Sequence, residues 1–80
     1  MLKTIYLDNA STTPVDPAVA KKVQKFMIEH YGNPSSLHHK GREAREEIEK
    51  SRKELAEFIN AEPEEIVFTS GGTESNNLAI

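Results

Sequence analysis

The chain of 80 residues contains no cysteine and no tryptophan. Without cysteine, disulfides and thiolate zinc sites are excluded. Those are two of the usual supports for so short a chain, which buries only roughly 60% of the surface its unfolded form exposes. Long apolar runs are missing as well. With 36% hydrophobic and 29% charged residues, the chain is no membrane segment, yet it is not polar enough to read as wholly disordered. The N-terminal stretch MLKTIYLDN lacks a sustained apolar core and a small-residue cleavage site, so no secretory signal is visible. An excess of positive charge is absent too. A net charge of −3 and a pI near 5.6 give no global attraction to nucleic acid or to an anionic lipid surface. Repeats and low-complexity tracts do not occur. These absences lead to the expectation of a soluble, cytoplasmic polypeptide of one domain at most.

What is present is ordered along the chain. Residues 4–7 combine β-branched and aromatic side chains and predict a short extended segment. Asp8 to Pro14, DNASTTP, is small, polar and turn-forming. Asp16-Pro17 predicts a helix start, with Asp as N-cap and Pro at the first helical position. Val19, Val23, Phe26, Met27 and His30 then recur at helical spacing. Tyr31-Gly32-Asn33-Pro34 ends that helix, since the residue before proline is pushed out of the helical region. After the loop GNPSSLHH, a longer helix is expected from about His38 to Ile59. Ala44, Ile48, Ser51, Leu55, Phe58 and Ile59 share one face of it. Arg42–Glu46, Arg45–Glu49, Glu46–Lys50, Glu49–Lys53, Lys50–Glu54 and Lys53–Glu57 are opposite charges four apart on a solvated face. Asn60 is placed to take the left-handed position that closes a helix. Glu62 to Glu65 reads as a turn, and 66–69 as a short apolar strand of the kind buried on both faces of a parallel sheet. A helical pattern restarts at Glu74 and runs to Ile80.

Two short strands do not make a stable sheet, and an unpartnered Ile-Val-Phe run would leave backbone groups unpaired if buried. The apolar end Asn77-Leu78-Ala79-Ile80 carries no C-cap. The expectation is therefore the first portion of a longer α/β chain, incomplete as a free-standing fold.

Between the expected strand and the last helix stands SGGTES, Ser70 to Ser75. A strand, a glycine turn and a helix start make a natural anion site. The first helical N–H groups lack intrahelical partners, and the helix dipole adds partial positive charge. Gly71 and Gly72 remove side chains from the approach, and Thr73 offers an N–H and a hydroxyl, so a phosphate fits. The stretch is neither the nucleotide P-loop, which needs a following Lys, nor the dinucleotide fingerprint. The alternative is a tight turn with Thr73 as N-cap.

YLDNASTTP (Tyr6 to Pro14), YGNPSSLH (Tyr31 to His38) and EEIVFTSGGTESNNLAI (Glu64 to Ile80) resemble, in order and spacing, the N-terminal part of cysteine desulfurases of the NifS/IscS type, within the class V aminotransferase group. The resemblance covers essentially the whole chain. It implies the α/β fold of a fold type I transferase that depends on pyridoxal 5'-phosphate. Two long helices, a strand and the start of a third helix are expected from it here. Residues 1–15 would open the small domain and 16–80 the large, cofactor-binding domain. The family's phosphate-binding pair corresponds to Gly72 and Thr73. No catalytic residue corresponds to a position in this chain: the family's imine-forming Lys, its ring-stacking His, its pyridine-pairing Asp and its nucleophilic Cys all lie beyond residue 80. The implied reaction converts L-cysteine to L-alanine with transfer of sulfur to an enzyme cysteine, for iron–sulfur cluster assembly or thiolation. The implied partners are a second copy of the full-length chain, in a homodimer, and a sulfur-acceptor or scaffold protein. Rival readings are a non-catalytic interaction module and a gene fragment without function.

Other residues carry less. His38 and His39 are adjacent and diverge by about 100° on a helix, and no carboxylate or thiol completes a ligand spacing, so no metal site is expected. His30 reads as a helix C-terminal residue facing the dipole. Ser11, Thr12 and Thr13 read as loop hydrogen-bonding groups rather than nucleophiles.

Overall fold

A computed structural model describes residues 3–80; Met1 and Leu2, the first two residues of the expected small-domain segment, lie outside it. The described backbone divides into two compact units, residues 3–31 and 32–80.

The first unit holds helix α1, Pro17–Glu29. Its start is the one the sequence dictates. The Asp16 carboxylate accepts from the Ala18 N–H at 2.9 Å, and Pro17 fills a position whose N–H would have no partner. His30 is the C-cap: its N–H donates to the Phe26 carbonyl, and its ring lies 5.0 Å from the Phe26 ring. The apolar stripe of α1 is uncovered, with Val19 at 53%, Val23 at 52% and Met27 at 74% exposure. Ahead of α1, the DNASTTP segment closes on Asp8. Its carbonyl accepts from the Ser11 N–H at 3.0 Å and the Tyr6 hydroxyl at 3.0 Å, and its carboxylate accepts from the Ser11 hydroxyl at 3.0 Å. Ser11 is thus engaged as a loop hydrogen-bonding group.

The second unit is built on helix α2, His39–Phe58, and ends in helix α3, Gly72–Ala79. Three close backbone approaches set the start of α2. A Cβ on Gly41 would stand 2.1 Å from the Ser36 carbonyl oxygen and 2.8 Å from that of Asn33. A Cβ on Gly32 would stand 2.3 Å from the Lys40 carbonyl oxygen. Only glycine lets the loop from Gly32 to His38 lie this tightly on the first turn of the helix. Asn33 shapes that loop, its side chain accepting from the Ser35 N–H at 2.8 Å and its carbonyl from the Ser36 N–H at 2.9 Å. His38 is the N-cap, its Nδ1 accepting from the Gly41 N–H at 3.4 Å. At the far end Asn60 adopts a φ of 57°, the left-handed conformation expected of it. The Ala61 N–H then reaches the Ala56 carbonyl at 2.8 Å and the Asn60 N–H reaches Glu57 at 3.2 Å, the paired bonds of a Schellman closure. The chain turns through a single 3-10 turn, Pro63–Glu65, that packs back on α2. The small core sits here: Ala44 is 7% and Ala56 1% exposed. The rest of the expected apolar face is open to solvent, including Ile48, Leu55, Phe58 and Ile59.

Two expectations are corrected. No β-strand forms among the described residues, neither at 4–7 nor at 66–69. Ile66 is extended, with φ −96° and ψ 124°, but a strand is defined by a hydrogen-bonded neighbour, and this stretch has none. None of the six charge pairs expected along α2 closes. Within α2 the close ion pairs among the described residues are instead Lys40–Glu43 at 3.9 Å and Arg52–Glu49 at 3.2 Å, and the His39 ring also lies 3.5 Å from the Glu43 carboxylate. Exposed pairs between long side chains are worth little, and the arginines have better acceptors in the backbone. Arg42 donates to the Leu37 carbonyl at 3.1 Å, Arg45 to that of Pro34 at 3.1 Å, and Arg52 to that of Ile66. No helix among the described residues is long and apolar enough to cross a membrane.

Candidate phosphate-binding turn

The extended segment 66–69 leads directly into the turn at Gly71 and the start of α3. Helix α3 begins at Gly72, two residues before the expected restart at Glu74, and Gly71 is its N-cap. Thr73 is therefore the second residue of the helix and not its cap. No side chain caps this helix end. The Ser75 N–H is the first to find a helical acceptor, the Gly71 carbonyl at 3.1 Å. The N–H groups of Gly72, Thr73 and Glu74 precede it and have no backbone acceptor among the described residues.

Around this free helix start, the side chains of Thr69, Ser70, Glu74 and Ser75 are engaged with one another or with the backbone. Glu74 reaches back, its carboxylate accepting from the Ser70 N–H at 3.1 Å and from the Ser70 hydroxyl. Those two bonds, the hydroxyl's first and the amide's second, hold the Glu74 carboxyl below its ordinary pKa, although it is fully exposed. Thr69 donates to the Gly71 carbonyl at 3.1 Å, and its hydroxyl also meets that of Ser75. The Thr73 hydroxyl makes no such bond. A carboxylate pinned to the preceding residue, with N–H groups and a hydroxyl free at a helix N-terminus, forms an arrangement able to accept an anion.

Among the described residues, nothing requires the two glycines. Neither lies in the left-handed region, Gly71 being extended at φ 166°, and a Cβ added to Gly71 or Gly72 would meet no atom within 4 Å. The turn could be built from other residues, whereas the approach to its backbone could not remain so open.

Arg52 on α2 was missed as more than a surface charge. Its Nε donates to both Glu49 carboxylate oxygens, at 3.3 and 3.2 Å. The same guanidinium donates to the Ile66 carbonyl and lies 5.0 Å from the centre of the Phe68 ring. The only sequence signal was an Arg three residues after a Glu. His30, His38 and His39 are drawn into cap, ring and ion-pair contacts as described above, and no group of three His, Asp or Glu side chains suited to a metal occurs among the described residues.

Residues 5–80 match the aminotransferase class-V family. The chain belongs to this family. Class-V aminotransferases and cysteine desulfurases depend on pyridoxal phosphate in general. The family match extends to curated relatives. The chain is 52% identical to the cysteine desulfurase IscS of Dictyoglomus turgidum over 80 residues, all of this chain and 20% of that protein. It is 54% identical to the cysteine desulfurase IscS of Methylobacillus flagellatus over 77 residues, and 57% identical to that of Neisseria meningitidis serogroup C over 77 residues, in each case 95% of this chain and 19% of the relative. The stretch matched is the N-terminal part of these proteins, so the chain spans about one fifth of the length of the relatives it matches. No solved structure matches it.

Proposed function

We propose that this class-V aminotransferase chain forms the N-terminal part of a pyridoxal-phosphate-dependent cysteine desulfurase, and that Gly72 and Thr73 hold the phosphate of the cofactor. The observation that carries the reading is the acceptor-free N–H groups of Gly72 and Thr73, on a backbone that nothing among the described residues obstructs. Two N–H groups at a positive helix end suit a dianionic phosphate, and the Thr73 hydroxyl would add a charge-assisted bond. The Ser70–Glu74 contact contributes by holding a carboxylate that would otherwise repel the phosphate.

The cofactor, when bound, supplies an electron sink for chemistry at the amino acid. This chain's share is to bind and orient its phosphate. The whole reaction is L-cysteine plus an enzyme thiol giving L-alanine plus an enzyme persulfide. The thiol must come from outside these residues, since the chain has no cysteine. In the same reading residues 1–15 belong to a small domain and 16–80 to the large one. The whole enzyme works in the cytoplasm as a homodimer and passes its sulfur to an acceptor or scaffold protein for iron–sulfur cluster or thiolation pathways.

The test uses a full-length desulfurase carrying this segment. A hydrogen bond to a charged group is worth about 1.5–3 kcal/mol, so Thr73→Val should weaken cofactor binding about 10- to 150-fold. Gly72→Val should do at least as much, by closing the approach. Because Thr73 is not the cap of α3, the apo-protein melting point should stay nearly unchanged. Unaltered cofactor affinity in Thr73→Val would retire the phosphate reading.

A further inference from the structure

We infer that Glu74 is a positioning residue for the phosphate-binding turn. It does not touch the ligand; its tie to Ser70 fixes the course of Gly71 and Gly72 and so presents the N–H groups of Gly72 and Thr73. The inference rests on the phosphate reading above and adds a residue to it.

Two consecutive glycines keep the approach to a backbone open, but they leave that backbone loose. Glycine has more conformational freedom to lose on ordering than any other residue. Gly71 is extended, with φ 166° and ψ −177°, and Gly72 is the first residue of α3. The direction in which the Gly72 and Thr73 N–H groups point depends on these few angles staying fixed.

Two side-chain ties span the pair. The Glu74 carboxylate accepts from the Ser70 N–H at 3.1 Å and from the Ser70 hydroxyl. The Thr69 hydroxyl donates to the Gly71 carbonyl at 3.1 Å and meets the Ser75 hydroxyl. Each tie joins a residue ahead of the glycines to one in the first turn of α3. Both lie within residues 69–75, the turn's own segment, and so accompany it into a longer chain.

The Glu74 tie is the stronger of the two, because an ionised acceptor makes both of its bonds charge-assisted. It is related to the reach-back half of a capping box, in which the third helical residue returns to the N–H of the N-cap. Glu74 is the third residue of α3, and Gly71 is the N-cap. Its carboxylate passes Gly71 and takes Ser70, one residue further out. That longer reach encloses both glycines.

Charge and position lead to opposite expectations for this side chain. A carboxylate in the first turn of α3 repels a phosphate at the same helix end, so on charge alone its removal tightens cofactor binding. A positioning role has the opposite sign, since the ligand itself must then order the freed glycines. Glutamine separates the two. Its amide oxygen accepts from Ser70 as the carboxylate does, without the charge.

In the full-length desulfurase carrying this segment, cofactor dissociation and apo-protein melting are measured on Glu74→Ala, Glu74→Gln, Ser70→Ala and Thr73→Val. Glu74→Ala is expected to weaken cofactor binding about tenfold, the low end for losing hydrogen bonds to a charged group. Glu74→Gln should bring affinity back to within about threefold of the unaltered protein. Ser70→Ala keeps the amide bond and loses the hydroxyl's, so a loss of about threefold is expected; it also decides the matter in case Glu74→Ala fails to fold. With affinity lost in Thr73→Val, unchanged or tighter binding in Ser70→Ala, and in Glu74→Ala where that variant folds, overturns the positioning role and leaves the phosphate turn standing. A lowered melting point does not rescue the role in that case, because it makes Glu74 a helix-stabilising residue only. Equal losses in Glu74→Ala and Glu74→Gln also overturn it, since the charge and not the tie would then be what binding needs. Unchanged affinity in Thr73→Val overturns the phosphate reading and the Glu74 role with it.

Discussion

Gly41→Ala is the substitution for which the structure and helix propensity disagree in sign. Gly41 lies in the first turn of α2, where propensity alone makes alanine better by up to about 1 kcal/mol. The built Cβ would stand 2.1 Å from the Ser36 carbonyl oxygen and 2.8 Å from that of Asn33. Ordinary van der Waals contact starts at 3.4 Å, about 1.3 Å beyond the shorter distance. Both obstacles are backbone atoms, so no side chain can swing aside; the loop itself must lift. Overpacking of this kind costs about 1–3 kcal/mol. Lifting the loop also loosens the Ser36 to Asn33 bond at 2.9 Å and the arginine bonds to Pro34 and Leu37, each worth about 1 kcal/mol net. Overpacking less the propensity gain leaves about 0–2 kcal/mol, and outright loss of the three bonds brings the destabilisation to about 3–5 kcal/mol. Far-UV circular dichroism through a urea series, with hydrogen exchange at the Ser36 amide, reads both parts. Gly72→Ala is the control, since its Cβ meets nothing within 4 Å, and it should leave helicity of the unliganded chain unchanged or raised. Gly41→Ala with raised helicity and unaltered exchange at Ser36 would refute the steric argument.

Two further outcomes are expected. Glu74 should titrate below the ordinary glutamate range, followed by its carboxyl carbon shift, because the ionised form accepts two bonds from Ser70. The folded pKa lies below the unfolded one, so the stability this contact gives α3 is fully present above the unfolded value and is lost as pH falls through the folded value; Ser70→Ala should return the midpoint toward ordinary glutamate. Asn60→Val should destabilise the end of α2 by about 1–2 kcal/mol, because a β-branched residue resists the left-handed φ of 57° found there, while Asn60→Gly should be neutral or stabilising in the same denaturation experiment.

Where a signal is local, the sequence was sufficient. Asp16-Pro17 opens α1 and Asn60 closes α2 because caps and left-handed residues act over three or four positions, within the reach of a sequence pattern. The arginines of α2 show where this stops. The spacing of Arg42 and Arg45 from glutamates suggested part of a ladder of ion pairs, but Arg45 finds an acceptor 11 residues away, and Arg52, which was in none of the expected pairs, finds one 14 residues away. Those acceptors exist only because the loop ahead of α2 and the 3-10 turn after it bring backbone carbonyls alongside. Periodicity likewise located the apolar faces of α1 and α2 without saying what covers them. The strand at 66–69 failed for a related reason: composition favours an extended backbone, which Ile66 adopts, but pairing is a property of two segments.

The glycine turn was legible as a motif and ambiguous as a site, and the four glycines of the chain together narrow that ambiguity. Glycine in a helix or strand costs roughly 0.5–1 kcal/mol relative to alanine, so each one calls for a physical reason. Gly32 and Gly41 have theirs on the spot, in backbone atoms closer than any Cβ tolerates. Gly71 and Gly72 have none of the local reasons: no positive φ, no neighbour within 4 Å, and a helix start that would accept alanine at Gly72. A tight turn alone thus does not account for them. The remaining reason for a bare backbone is the close approach of something outside the described residues. The neighbouring groups narrow what that is. Acceptor-free N–H groups ask for an acceptor, the helix end favours a negative one, and the one carboxylate nearby is tied back to Ser70. A second protein segment would bring carbonyls, which satisfy the N–H groups but make little use of the positive helix end. A phosphate uses both, which is the physical argument behind proposing the cofactor, and not a packing contact, as the occupant of the turn.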